Sequence, residues 1–97
     1  MATYTFIMEY RGGTYISQVK ATSINKAIRQ WAYELPVNEI KHFGPKMKQQ
    51  LVHDLDHDEY GIYKAVALTG LANAWSVSVP LPISAGTTIN AVKTDVK

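Results

Sequence analysis

The chain of 97 residues contains no cysteine. That absence excludes a disulfide framework, a thiolate nucleophile and any zinc or iron–sulfur centre held by cysteine, and it agrees with a reducing compartment. No apolar run approaches the roughly 20 residues that cross a bilayer as a helix. The N-terminal MATYTFIMEY has no basic region ahead of an apolar core, so neither a membrane span nor a signal peptide is expected. Charge of one sign is scarce as well. Residues 1–53 carry seven Lys or Arg against three acids, residues 54–59 carry four acids and no base, and the remainder adds three bases and one acid. Nucleic-acid binding usually shows a dense basic stripe, so this balance admits a nucleic-acid partner without favouring one. A glycine-rich loop ahead of a helix and a G-x-S-x-G elbow are both missing, which removes the usual phosphate cradle and the usual serine nucleophile. The expectation is a soluble cytoplasmic protein.

What is there suffices for one small core. Apolar residues make up 46% of the chain, and a chain of this size is expected to be one domain spanning residues 1–97. Ordering it costs on the order of 100 kcal/mol. Most of the large apolar side chains must then be buried, which leaves little room for an enclosed active-site cavity.

In TYTFIMEY, Tyr4, Phe6, Met8 and Tyr10 share one parity; beyond Arg11-Gly12-Gly13, Tyr15, Val19 and Ala21 share the other. This alternation predicts a β-hairpin. A two-residue Gly12-Gly13 loop would set Tyr10 opposite Tyr15 and Phe6 opposite Val19, with every apolar side chain on one face. Ser23 is placed as an N-cap, and Ile24, Ala27, Ile28, Trp31 and Leu35 recur at helical spacing until Pro36 stops them. Lys26, Arg29, Gln30, Tyr33 and Glu34 would form the outer face. Gly44-Pro45 opens a second, shorter helix whose buried stripe is Met47, Leu51 and Leu55.

From Ile62 the period becomes that of strands. IYKAVAL, a turn at Thr69-Gly70, and AWSVSVPLPI with Trp75, Val77, Val79 and Leu81 alternating predict a second strand pair. Pro80 and Pro82 fit an edge, since amides two apart point the same way. TTINAVKTD predicts a closing strand. The order is ββααβββ, and the fold class that follows is α+β: a two-layer sandwich of a mostly antiparallel sheet with two helices on one face. The other sheet face would carry Thr5, Ile7, Ile16, Gln18 and Lys20, with the two isoleucines able to seed a dimer.

The segment HDLDHDEYG, residues 53–61, concentrates the titratable side chains. His53 and His57 stand four apart, so a continuous helix puts both imidazoles on one face, where they could share a metal with Asp54. Asp54, Asp56 and Asp58 match positions one, three and five of a calcium-binding loop, but Glu59 stands where glycine is needed and Ala65 where the bidentate glutamate is needed. The H-D-L-D-H order also lacks the glutamate of the H-E-x-x-H zinc hydrolases. A solvated helix end accounts for the segment more economically, and no cofactor or metal is expected. In RGGTYISQ, Arg11, Gly12, Tyr15 and Ile16 fit an RNA-recognition strand loosely, whereas Gly13, Thr14 and Gln18 do not. Tyr33 beside Arg29 on an outer helix face is a pairing enriched at protein interfaces.

The run TYTFIMEYRGGTYISQVKATSINKAIRQWAYEL, with LTGLANAWSVSV further on, resembles a group of small bacterial α+β proteins that share a glycine turn after the first strand and a tryptophan in the first helix. That resemblance brings no activity. The N-terminal strand, glycine turn, strand and helix also resemble the start of HicB-type antitoxins, intracellular proteins that neutralise a toxin, and this implies a protein partner without carrying over any functional residue. The function expected is therefore a non-catalytic interaction module acting on a protein partner or through self-association, with Arg29 and Tyr33 as the candidate contact residues. The alternatives are a metal-dependent hydrolase centred on His53, Asp54 and His57, and a small nucleic-acid binder using Arg11, Lys20, Lys26 and Arg29.

Overall fold

The computed structural model describes residues 1–10, 12–40, 43–57, 65–77 and 88–94. Strands β1 (Ala2–Tyr10) and β2 (Gly13–Ala21) form the hairpin. Its register differs from the one expected. Tyr10 stands opposite Gly13, Met8 opposite Tyr15, Phe6 opposite Ser17 and Tyr4 opposite Val19, so the connection takes positions 11 and 12 and Gly13 belongs to the strand. Gly12 is a left-handed turn residue, with φ +88°. Gly13 has a different use: a Cβ built on it would come within 2.6 Å of the Tyr15 hydroxyl, because that ring lies back over the glycine. The shift amounts to two residues, and side-chain facing has period two, so every apolar side chain keeps its expected face.

Helix α1 (Ile24–Tyr33) starts at Ser23, whose hydroxyl accepts a hydrogen bond from the Lys26 N–H at 3.3 Å. Its inner stripe buries Ala27, Ile28 and Trp31, and Leu35 is buried just past its end. Trp31 stacks on Phe6 of β1, with ring centroids 5.2 Å apart. After Pro36 a single 3₁₀ turn (Val37–Glu39) leads on to buried Ile40 and Phe43. Helix α2 (Pro45–Asp56) opens with proline in its first turn and buries Leu51 and Leu55. Met47 ties it to the same sheet face, since the Tyr10 hydroxyl donates to the Met47 sulfur at 3.6 Å.

Three further strands complete the sheet: β3 (Ala65–Ala67), β4 (Ala74–Val77) and β5 (Thr88–Lys93). Between β3 and β4 the Leu71 N–H donates to the Leu68 carbonyl, with Gly70 at φ +82°, the position where a type II turn demands positive φ. The spatial order is β2-β1-β5-β4-β3, antiparallel throughout. The last strand thus closes the sheet from within, joining the N-terminal hairpin to the later strand pair. β4 pairs with β3 through Trp75, Ser76 and Val77 and with β5 through Ala74, Trp75 and Ser76; Val79, Pro80, Leu81 and Pro82 lie outside the described residues.

The fold is α+β, a five-stranded antiparallel open sheet with two helices in the order ββααβββ. The core gathers Tyr4, Phe6, Met8, Tyr10, Val19, Ile89 and Ala91 from the sheet against Trp31, Leu35, Leu51 and Leu55 from the helical layer. Trp75 is half-buried at its margin against Tyr4, at a centroid distance of 5.9 Å. Among the described residues, no helix is long and apolar enough to cross a membrane.

Candidate functional site

Once α1 has committed Ile28 and Trp31 to the core, Lys26, Arg29, Gln30, Tyr33 and Glu34 are left on the outside, and all five are exposed. Tyr33 is 68% exposed. It does not stand alone on a smooth surface. An open groove of about 520 Å³ runs from Tyr33 to the outer side of α2, with Val37, Pro45 and Val52 as its other apolar lining and Lys48, Gln49, His53, Asp56 and His57 as its polar lining. A second depression of about 380 Å³ adjoins it and is lined by Lys26, Arg29 and Gln30. Tyr33, Val52 and Asp56 border both.

The groove lies between the end of α1, the 3₁₀ turn at Val37 and the outer face of α2. Positions 45, 48, 49, 52 and 56 follow one face of α2, a stripe displaced by one residue from half-buried Met47 and buried Leu51 and Leu55. Lys48 is held in place: its ammonium group donates to the Leu35 carbonyl at 3.1 Å, beyond the end of α1. The same carbonyl also accepts from the Val37 N–H at 3.0 Å. Glu34 is engaged with the Gln30 amide, and Asp54 accepts from the Gln50 amide at 2.8 Å. Among the described residues, the charged side chains that line the two depressions are Lys26, Arg29 and Lys48 against Asp56.

The histidine segment sits at the end of this groove. α2 runs through His53 to Asp56, and His57 is its C-terminal cap. The two imidazoles share a face as the spacing requires, and they stack, with centroids 4.2 Å apart and planes inclined by 21°. Stacked rings hold their in-plane lone pairs side by side instead of aiming them at one point. His57 Nδ1 lies 2.8 Å from the His53 carbonyl; a carbonyl can only accept, so this nitrogen carries the proton. His53 Nδ1 is 3.4 Å from the Asp54 carboxylate, at the long limit for such a contact. Among the described residues, no three or more His, Cys, Asp or Glu side chains are grouped to hold a metal. Asp58 and Glu59 lie outside the described residues.

The candidate nucleic-acid contacts separate in space. Lys20 is on the sheet face away from the helices, because its parity opposes buried Val19 and Ala21, while Lys26 and Arg29 are on the outer side of α1. Tyr15 lies half-buried on the helix side. Arg11 and His42 are outside the described residues. Arg29 and Tyr33, by contrast, come together in one depression. Val37, Lys48, Gln49 and Val52 are the groove residues that the sequence pattern did not single out; the available signal was Val52, an apolar residue one step off the buried stripe of α2.

No protein-family model, curated protein or solved structure matches this chain.

Proposed function

We propose that the protein is a non-catalytic interaction module whose α1–α2 groove receives a segment of a protein partner. The observation that carries this reading is the position of Tyr33: exposed, on an otherwise polar helix face, and bordering two adjoining depressions together with Val52. An exposed tyrosine with an arginine beside it is the composition of interface hot spots, where a few aromatic and arginine side chains supply most of the binding energy. The lining also favours one chemistry for the partner. Lys26, Arg29 and Lys48 outnumber Asp56, so the matching segment carries an apolar side chain for the space between Tyr33, Val37 and Val52 and carboxylates beside it.

The test is affinity capture from the native lysate with tagged wild type, Tyr33→Ala and Arg29→Glu, with bound protein, nucleic acid and metal all quantified. The reading expects one stoichiometric protein whose recovery falls by roughly tenfold or more in both variants, while their thermal unfolding stays at the wild-type midpoint because both side chains are exposed. Equal recovery with all three proteins would remove the groove from consideration. Tightly held zinc or manganese, lost with His57→Ala, would transfer the function to His53, Asp54 and His57.

A further inference from the structure

His53 and His57 stand one turn apart at the end of α2 and both line the groove, yet a partner segment seated between Tyr33 and Val52 gives neither a chemical role. Their hydrogen bonds point to one. A ligating imidazole offers the lone pair of one ring nitrogen and donates from the other to a carbonyl or carboxylate, which fixes the tautomer. His57 meets both conditions: its Nδ1 donates to the His53 carbonyl at 2.8 Å, so Nε2 carries the lone pair. His53 repeats the arrangement more loosely. Its Nδ1 faces the Asp54 carboxylate at 3.4 Å, and an ionised carboxylate only accepts, so the proton again belongs on Nδ1 and the lone pair on Nε2. Asp54 is held in turn by the Gln50 amide at 2.8 Å. The spacing in the sequence puts two imidazoles on one face without saying which nitrogen of each is free.

We propose that His53 and His57 of one chain together bind a divalent transition-metal ion through their Nε2 atoms, with water in its remaining positions. The rings stack at a centroid distance of 4.2 Å and an inclination of 21°, so the two lone pairs run side by side. A shared tetrahedral ion about 2.0–2.1 Å from each nitrogen needs them roughly 3.3 Å apart and converging. The torsion that turns an imidazole on its stem is broad. His53, anchored only at 3.4 Å, is the ring that tilts toward the firmly held His57. Both side chains are exposed, so the tilt displaces water and not packed neighbours. The ion then sits at the C-terminal turn of α2, the end where the helix dipole favours positive charge. The donors select the class of metal: imidazole suits zinc, nickel and copper, whereas magnesium and calcium demand oxygen. Structural and catalytic zinc sites hold their ion with three or four protein ligands; with two, this ion exchanges with solvent.

The experiment titrates zinc chloride into the full, untagged chain in a calorimeter, and repeats this with His53→Gln, His57→Gln, Asp54→Ala and His42→Gln. One saturable site per chain is expected. It should be lost in His53→Gln and in His57→Gln, weakened by roughly tenfold in Asp54→Ala, which removes the acceptor that orients His53, and unchanged in His42→Gln. Magnesium and calcium chloride should give no heat of binding. Nitrogen-15 NMR of the metal-free protein should place the His57 proton on Nδ1, and zinc should shift the Nε2 resonances of both rings. Zinc should also raise the thermal midpoint of wild type and leave that of His57→Gln where it was. No saturable heat with wild type would overturn the proposal. So would binding that survives either substitution of His53 or His57, binding lost with His42→Gln, or a zinc-induced dimer in sedimentation, which would mean ligands drawn from two chains. An ion that stays bound through gel filtration would also overturn it, since two imidazoles hold an exchangeable one. Zinc is the only probe needed, so failure here leaves the groove and its protein partner untouched.

Discussion

Phe6 and Trp31 stack at 5.2 Å in the middle of the core, and each is fully buried. Removing the indole leaves a cavity that rigid neighbours on a strand and a helix cannot close. Trp31→Ala should therefore destabilise the protein by about 3–5 kcal/mol, seen as a large fall in the urea midpoint. Trp75 keeps part of its surface in water and touches Tyr4 at the core margin. Trp75→Ala should cost clearly less in the same titration, and equal losses would contradict the burial described here. Both tryptophans sit in apolar stripes of the sequence, so their structural role was readable there. Which of them is central was not, because burial of an individual ring depends on what the opposite layer places over it.

At the scale of elements, boundaries follow local chemistry. Ser23 offers its hydroxyl to the Lys26 amide, and α1 begins there. Ser23→Ala should lower stability by about 1 kcal/mol and Ser23→Gly by only a few tenths, measurable as ordered shifts in thermal midpoint. α1 and α2 end and start where Pro36 and Gly44-Pro45 suggest, because proline and capping residues act over one turn and need no tertiary context. The hairpin turn resisted the same treatment. Two adjacent glycines offer two registers of equal parity, and the local pattern does not choose between them; in the paired hairpin Gly13 lies in the strand with the Tyr15 ring over it. The groove was half legible for a similar reason: periodicity leaves Arg29 and Tyr33 outside α1, but only the approach of α2 supplies Val52 and Lys48 beside them.

For the whole molecule, the decisive element is β5. It stands between β1 and β4, pairing Tyr4 with Lys93 and Trp75 with Ala91, so the sheet is completed by contacts between opposite ends of the chain. The Thr94 N–H donates to the Thr3 carbonyl at 2.7 Å, and the Thr5 and Thr94 hydroxyls are 2.8 Å apart, extending that seam. Amides of β1 and β5, flanked on both sides, should exchange slowest, and those of three-residue β3 at the far edge fastest. Native-state hydrogen exchange reads this directly, and fast exchange throughout β5 would contradict the order of strands. Folding that must close this long loop before the sheet is complete is expected on a timescale of about milliseconds or longer.

By itself the sequence determined the kinds of element, their order and the face each one buries, because these follow from hydrophobic periods, caps and turn residues acting over a few positions. It also determined that cysteine chemistry is absent. The tertiary structure alone decided the hairpin register, the insertion of β5 between β1 and β4, the exposure of the β2 edge and the meeting of Tyr33 with Val52 across two helices. Each of these is a choice among arrangements with the same local pattern, and all but the hairpin register are made by contacts between residues far apart in the chain.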